Sequence, residues 1–502
     1  MSSQVVCPLL RLYYHTMPIT LPSPVPRVAV LGASGYIGTN LVPRLAMRGM
    51  RVRAVARSRE VLAARGWPDV ELAAADVLEP ATLDAALKDI DIAYYLVHCM
   101  RAGDDFEANE RAGADNFAQA AARAGVKRIV YLGGLIPRGA DSKHLLSRRL
   151  TGDRFRAGQV PVTEIRAGII VGPGCASFEI IRDLVNHLPF MITPRWVQSK
   201  SPPIALDNVL EYLIGVALHE EAAGKIYDVA GPEMLSYRDL LLQYGEYVGK
   251  HPWIIAVPVL SPRLSSYWLR LITAVPTSTA RALVEGLKLH IEADDSAIRA
   301  LVPQKLLSYR EAIAAVFETE QRNAVAARWT EGALMYRNYN SDYAFYAKRA
   351  GAFYIADASP EAVWQQVTSI GADNRYFFAN ALWTIRENID WALGGPGRNR
   401  GRRHPTELRV GDTIDSWRVI GVEAPRRLSL AFGMKAPGAG VLEFEVVPID
   451  ETHTRINLTA YWHPAGVWGL LYWFGFSPSH FIVFNGMVRE IAERAERAER
   501  AE

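Results

Sequence analysis

The sequence predicts an α/β chain: a doubly wound parallel sheet with a helical extension, followed by a separate α+β domain. Three observations carry this. Short apolar runs alternate with helical patterns over residues 27–170, as in repeated βαβ units. A glycine-rich turn, Gly32-Ala-Ser-Gly35-Tyr-Ile-Gly38, joins the first apolar run to the first helical pattern. Beyond residue 351 the apolar residues recur with a period of two. A chain of 502 residues has room for two or three domains.

Residues 1–24 read as a leader ahead of the first strand, Val28–Leu31, whose continuous apolar character suits a buried parallel strand. Further strands are predicted at Val52–Ala56, Val70–Ala74, Ile90–Val97, Lys127–Leu132 and Val162–Ile170, with helices between them, such as Phe106–Ala124. From 171 to 330 helical spacing dominates, near 176–188, 207–219, 236–248, 262–274, 277–290 and 308–320, with one further strand at Lys225–Ala230. This stretch is assigned to the domain 25–330 as its substrate-facing part. Residues 331–350 read as a linker and 351–492 as a second domain. There Ser359-Pro360-Glu361 has the order of an N-cap, a proline at the first helical position and an acid in the first turn. Leu442, Phe444 and Val446 alternate with Glu443 and Glu445, and Ile456, Leu458 and Ala460 with Asn457 and Thr459, the pattern of half-buried antiparallel strands. A long helix closes the domain; within it Val467–Val488 comes nearest to a membrane span, but Pro478, Ser479 and His480 interrupt its apolar run. Residues 493–502, an Ala-Glu-Arg repeat with i,i+4 charge pairs, read as a solvated helical tail.

Composition excludes several classes. Lys and Arg number 56 against 53 Asp and Glu, a surplus too small for a dedicated nucleic-acid binder. The three cysteines, Cys7, Cys99 and Cys175, lie far apart, which excludes a disulfide framework and a zinc ribbon and favours a reducing, cytoplasmic compartment. The histidines show no metal-ligand spacing, there is no Gly-x-Ser-x-Gly, and no stretch reaches the ~18 charge-free apolar residues of a membrane span.

The glycine turn has the chemistry of a phosphate cradle. Gly32 permits the tight turn, Gly35 lets the backbone approach a pyrophosphate, and Gly38 lets helix and strand pack closely. The helix N-terminus then presents N–H groups and the positive end of its dipole. Where a dinucleotide site selective for a free ribose 2′-hydroxyl carries an acid, this chain has Arg57. A guanidinium suits a 2′-phosphate, so NADP(H) is preferred, with NAD(H) still accommodated. The competing reading is that Arg57 is an ordinary solvated residue.

The glycine spacing, Asp76-Val77 after the third strand and Val126-Lys-Arg-Ile-Val-Tyr131 resemble the short-chain dehydrogenase/reductase superfamily, and more narrowly its atypical NmrA-like branch. Thr163–Gly172 and Ala230–Tyr237 resemble a bacterial group of NAD(P)-binding proteins with an added C-terminal domain. The resemblance implies a Rossmann-type fold, with Ser34, Tyr36 and Ile37 on the cofactor beside the three glycines. It also implies Asp76 and Val77 at the adenine and Leu96-Val97-His98 along the cofactor. The activity implied is hydride transfer to a lipophilic carbonyl or quinone-like compound. The chain departs from the superfamily where chemistry is done. None of the 21 tyrosines is followed four residues later by Lys, and Gly133-Gly134 stand where a Ser is usual. The helix that follows offers His144-Leu-Leu-Ser-Arg148 instead. His144 would then donate a proton and Arg148 bond the ribose, or the two form only a polar helix face. The missing pair leaves open a non-catalytic NADP(H) sensor or assembly factor.

The order of elements after 351 resembles the START-like helix-grip fold. Trp364, Trp383, Trp391, Trp417, Trp462, Trp468 and Trp473, seven of the 12 tryptophans, lie there, to line a lipophilic cavity or to fill a core. The basic loop Gly394–His404 and the aromatic stretch Trp468–Phe484 allow a peripheral membrane contact; a solvated loop and an inward-facing apolar helix are the plainer readings.

Overall fold

The computed structural model describes residues 25–63, 65–98, 106–137, 139, 143–257, 289–321, 347–371, 374–394, 407–450 and 452–500. They form two compact units, the first holding the chain up to Gly168, Asp207–Ala230 and Glu292–Leu306, the second holding the remainder.

The first unit opens β1 (Arg27–Leu31), α1 (Tyr36–Met47), β2 (Arg51–Ala56), α2 (Arg59–Ala63), β3 (Glu71–Ala74) and α3 (Pro80–Leu87). It continues β4 (Ile92–Tyr95), α4 (Phe106–Arg123), β5 (Arg128–Gly134), α5 (Lys143–Arg156) and β6 (Val162–Ala167). In the second unit lie β7 (Ile170–Val171), α6 (Ala176–His187), β8 (Phe190–Pro194), β9 (Lys200–Ser201) and β10 (Ile204–Ala205). The chain returns to the first unit with α7 (Leu206–Leu218) and β11 (Ile226–Val229). Seven parallel strands make one sheet in the order β11-β6-β5-β4-β1-β2-β3. Strand order reverses between β1 and β4, and open α/β sheets bind their ligands beyond the carboxyl ends of the strands at that switch point. The strands β1 and β4 are buried along almost their whole length because helices cover both faces. On one face Tyr95, Phe117 and Phe155 interlock, with ring centroids 4.9 to 5.7 Å apart. On α1, Arg44 and Arg48 pair with Asp207 and Glu211 of α7.

The strand expected over Val162–Ile170 is two strands. β6 ends at Ala167, and β7 pairs instead with β10. Gly168, where the chain leaves the first unit, separates them.

The second unit continues with β12 (Leu235–Ser236), α8 (Tyr237–Tyr247), β13 (Trp253–Val257), then α9 (Ser296–Leu301) back in the first unit, and α10 (Tyr309–Gln321). The parallel pair β8–β13 and the antiparallel pair β9–β12 interrupt a region expected to be helical, the strands too short to show a period. Two helices expected at 262–274 and 277–290 fall almost wholly outside the described residues, as does most of the linker 331–350.

The C-terminal sheet comprises β14 (Lys348–Ala356), β15 (Thr413–Ile414), β16 (Trp417–Glu423), β17 (Arg427–Phe432), β18 (Gly438–Pro448) and β19 (Thr454–Pro464). Its order is β14-β19-β18-β17-β16-β15, antiparallel throughout. Three helices accompany it, α11 (Pro360–Thr368), α12 (Asn380–Ala392) and α13 (Gly466–Glu499). The Ser359 hydroxyl caps α11 through the Ala362 N–H, with Pro360 in the first turn. Leu442, Phe444, Ile456 and Leu458 turn inward against Phe484, Met487 and Ile491 of α13. Each such fully buried side chain contributes about 1.5–3 kcal/mol relative to leaving it in water. Pro478 lies inside α13 without ending it. Buried residues on both sides of the proline, Trp473 before it and Val483 and Phe484 after it, anchor the two halves of the helix. Trp417, Trp462 and Trp473 are core residues, whereas Trp391 and Trp468 are exposed.

Candidate functional site

The site is built from the carboxyl ends of β1, β2, β4 and β5. Gly32 follows β1 at φ +81°, and its N–H and that of Ala33 both donate to the Val55 carbonyl of β2 at 3.1 Å. A Cβ at Gly32 would stand 2.8 Å from the Leu96 carbonyl carbon, so the turn lies directly on the backbone leaving β4. A Cβ at Gly38 would lie 2.4 Å from the Gly32 oxygen, so only glycine lets α1 start this close to the turn. Gly35 is the N-cap of α1 and supplies no capping side chain, and the first turn, from Tyr36 and Ile37 onward, carries no acid. Its N–H groups and dipole therefore face outward unneutralised, which fits a dinucleotide pyrophosphate.

Two cations flank this turn. Arg57 follows β2, is exposed, and makes no hydrogen bond or ion pair among the described residues. Arg65 donates to the Ser34 carbonyl at 3.4 Å; burial lowers its guanidinium to about 10, which still leaves it charged at neutral pH. The sequence reading missed Arg65 because it lies 31 residues from Ser34 and follows no motif. Asp76 is half-buried after β3, where its carboxylate accepts the Leu78 N–H and its own N–H donates to Thr82. Val77 is buried, and its carbonyl accepts from Asn116 of α4. Leu96 and Val97, both half-buried, lead from β4 to His98.

His98 belongs to a cluster that sequence spacing does not disclose. Its Nδ1 hydrogen-bonds Glu110 of α4, whose second carboxylate oxygen accepts from the Ser147 hydroxyl of α5. Burial pushes the Glu110 carboxyl up, but hydrogen bonds from His98 and Ser147 and the charge of Arg148 outweigh it and hold it at about 2. Burial and then the Arg148 charge lower the pKa of His98, against the opposing pull of Glu110. Because an ionised carboxylate only accepts, the ring nitrogen facing Glu110 carries the proton, and Nε2 is the nitrogen that gives or takes one. Arg148 donates to the Leu132 carbonyl at 2.9 Å, its own carbonyl accepts from Tyr131, and its Cδ lies beside Gly134. Of the two glycines that end β5, Gly134 borders the Arg148 side chain and Gly133 faces Glu164 of β6. The backbone of His144 lies in α5, one turn before Arg148; its side chain falls outside the described residues. Ser147 stands inside the string singled out in the sequence, but Glu110 carries no local signal.

Comparison with known proteins finds matches for both parts of the chain. Residues 32–148 match a family described as NAD(P)H-binding, and residues 348–487 match a protein family of unknown function, DUF2867. The chain is 28% identical over 232 residues to a (4-alkanoyl-5-oxo-2,5-dihydrofuran-3-yl)methyl phosphate reductase of Streptomyces griseus, covering 44% of this chain and 74% of that one. It is 30% identical over 150 residues to a ceramide reductase of Caulobacter vibrioides, covering 29% of this chain and 47%, under half, of the relative. Among solved structures, the NADPH-dependent quinone oxidoreductase of Escherichia coli in complex with NADPH aligns with a TM-score of 0.49 at 18% identity, covering 58% of this chain and 99% of that one. The first unit therefore carries an NAD(P)H-binding domain of Rossmann type, and the C-terminal sheet domain matches the DUF2867 family.

Proposed function

We propose that the protein is an NADP(H)-dependent reductase of the atypical, NmrA-like short-chain type, acting on a lipophilic carbonyl or quinone-like compound, with His98 as the proton-exchanging group. The observation that carries this reading is the His98–Glu110–Ser147 cluster, beside the backbone that the glycine turn touches. The bound nicotinamide supplies the hydride. The chain's residues do the rest. The N-terminus of α1 holds the pyrophosphate, Arg57 and Arg65 favour a 2′-phosphate, and Arg148 braces β5 against α5. Glu110 orients the His98 ring and stabilises its charged form, and Ser147 keeps Glu110 in place. The reductase names of two partial relatives support the reaction class. A long helix packed on a six-stranded antiparallel sheet supports a START-like helix-grip reading of the second domain.

The test is NADPH oxidation over a panel of hydrophobic ketones, enones and quinones. Turnover of any of them above background supports the proposal. NADPH binding without turnover across the panel overturns it in favour of a cofactor-sensing role.

A further inference from the structure

We infer that α12 and the first two-thirds of α13 form a docking face for an anionic phospholipid bilayer. Leu382, Ile385 and Ile389 of α12 and Leu393 at its C-cap are all exposed at helical spacing along one stripe, with Trp391 beside them. On α13, Trp468, Leu471 and Phe481 are exposed, the two aromatics at 71 % and 73 %. A soluble surface scatters such residues singly; a run of them along two helices marks an interaction site. Tryptophans with a polar edge and an apolar body concentrate where bilayer meets water.

Charge decides what covers this face. From Gly466 to Val488 the sequence has no Asp, Glu, Lys or Arg. His480, packed between Trp473 and Phe484, is lowered by burial to about 4 and stays neutral at pH 7. The two acids of α12 are turned inward: Glu387 is buried against Arg375 at 2.8 Å, and Asp390 is buried and accepts the Lys435 N–H. Among the described residues α12 and this part of α13 therefore expose no carboxylate. Between the helices lies a groove of about 840 Å³, lined by Ile389, Leu393, Phe432 and Phe476 and rimmed by Arg386 and Lys435. Arg386 links the two helices, its Nε donating to the Tyr472 hydroxyl at 3.0 Å and one terminal nitrogen to the Lys435 carbonyl at 2.8 Å. Its other terminal nitrogen, Nη1, is buried without a hydrogen-bond partner. An apolar floor, the positive charge of Arg386 at its edge and the exposed Lys435 ammonium suit acyl chains below and a lipid phosphate above. No helix among the described residues is long and apolar enough to cross a membrane, so the contact is interfacial.

The experiment is co-sedimentation of the full chain with vesicles of phosphatidylcholine alone and of equal parts phosphatidylcholine and phosphatidylglycerol. The wild type should bind the anionic vesicles ~tenfold more tightly than the neutral ones. The double variant Trp468→Ser, Phe481→Ser should lose ~tenfold or more of that binding while keeping its helical content and NADPH affinity, and Trp468→Phe should retain it. Failure of the wild type to sediment with anionic vesicles overturns the inference. So does a wild-type dimer that the double variant turns into a monomer, because the face is then an interface between copies of the chain.

Discussion

Glu110 in the first unit and Glu320 in the second are both buried beside a cation, yet they are displaced in opposite directions. Glu110 is held at about 2 by two hydrogen-bond donors and a nearby guanidinium. Burial raises Glu320 to about 7, against the pull of Arg182, because that one guanidinium is shared with a second carboxylate, Glu179. Arg182 is fully enclosed, 2.9 Å from Glu320 and 3.3 Å from Glu179, with the rings of Phe178 and Phe317 at 5.1 and 5.2 Å. Two acids on one cation cannot both ionise cheaply in such a place, so the cluster is a structural knot. The Glu110 cluster differs in having a titratable imidazole at the carboxyl end of the sheet, where open α/β sheets bind their ligands. Burial alone does not mark a functional acid; what shares its donors does.

The largest effect that separates the two clusters is kinetic. His98→Asn should cut NADPH-dependent reduction by ~10²–10⁴ while leaving NADPH affinity nearly unchanged. An unaltered rate would make the first cluster as structural as the second. In the second unit Arg182→Met should strand two buried carboxylates and cost about 3–5 kcal/mol, read as a lowered urea midpoint, with no change in NADPH affinity. Next comes Arg57→Ala, which should weaken NADPH about ten- to a hundredfold and leave NADH almost untouched, since a charge-assisted bond to phosphate is worth ~1.5–3 kcal/mol. Equal losses for both cofactors would remove Arg57 from the 2′ position. The smallest effect is in pH. The pKa of His98 lies below its ordinary 6.5, set by burial and Arg148 against Glu110. The donor form therefore fills only as pH falls below neutrality, and the reduction rate should rise from pH 8 towards pH 6, whereas a flat profile would mean that His98 supplies no proton.

The same contrast explains what could be read before the fold was known. The glycine turn was legible because its parts are adjacent in the chain: Gly32, Gly35 and Gly38 serve one turn and one helix start. The alternating strands around Phe444 and Leu458 were legible because period two reports one buried face. The His98 cluster was not, since its members come from the loop after β4 and from two helices, with Glu110 12 positions after His98 and Ser147 37 positions after Glu110. The long closing helix was legible too, and Pro478 does not end it because buried residues on either side hold its two halves.

The most direct test of the account is a calorimetric titration of NADPH into the wild type and Gly38→Val. The added side chain begins at a Cβ only 2.4 Å from the Gly32 oxygen, so it must push α1 away from the turn proposed to cradle the pyrophosphate. The account predicts saturable binding to the wild type and a loss of ~100-fold or more in the variant, with far-ultraviolet circular dichroism unchanged. Equal affinity in the two proteins, or no binding to the wild type, would contradict it.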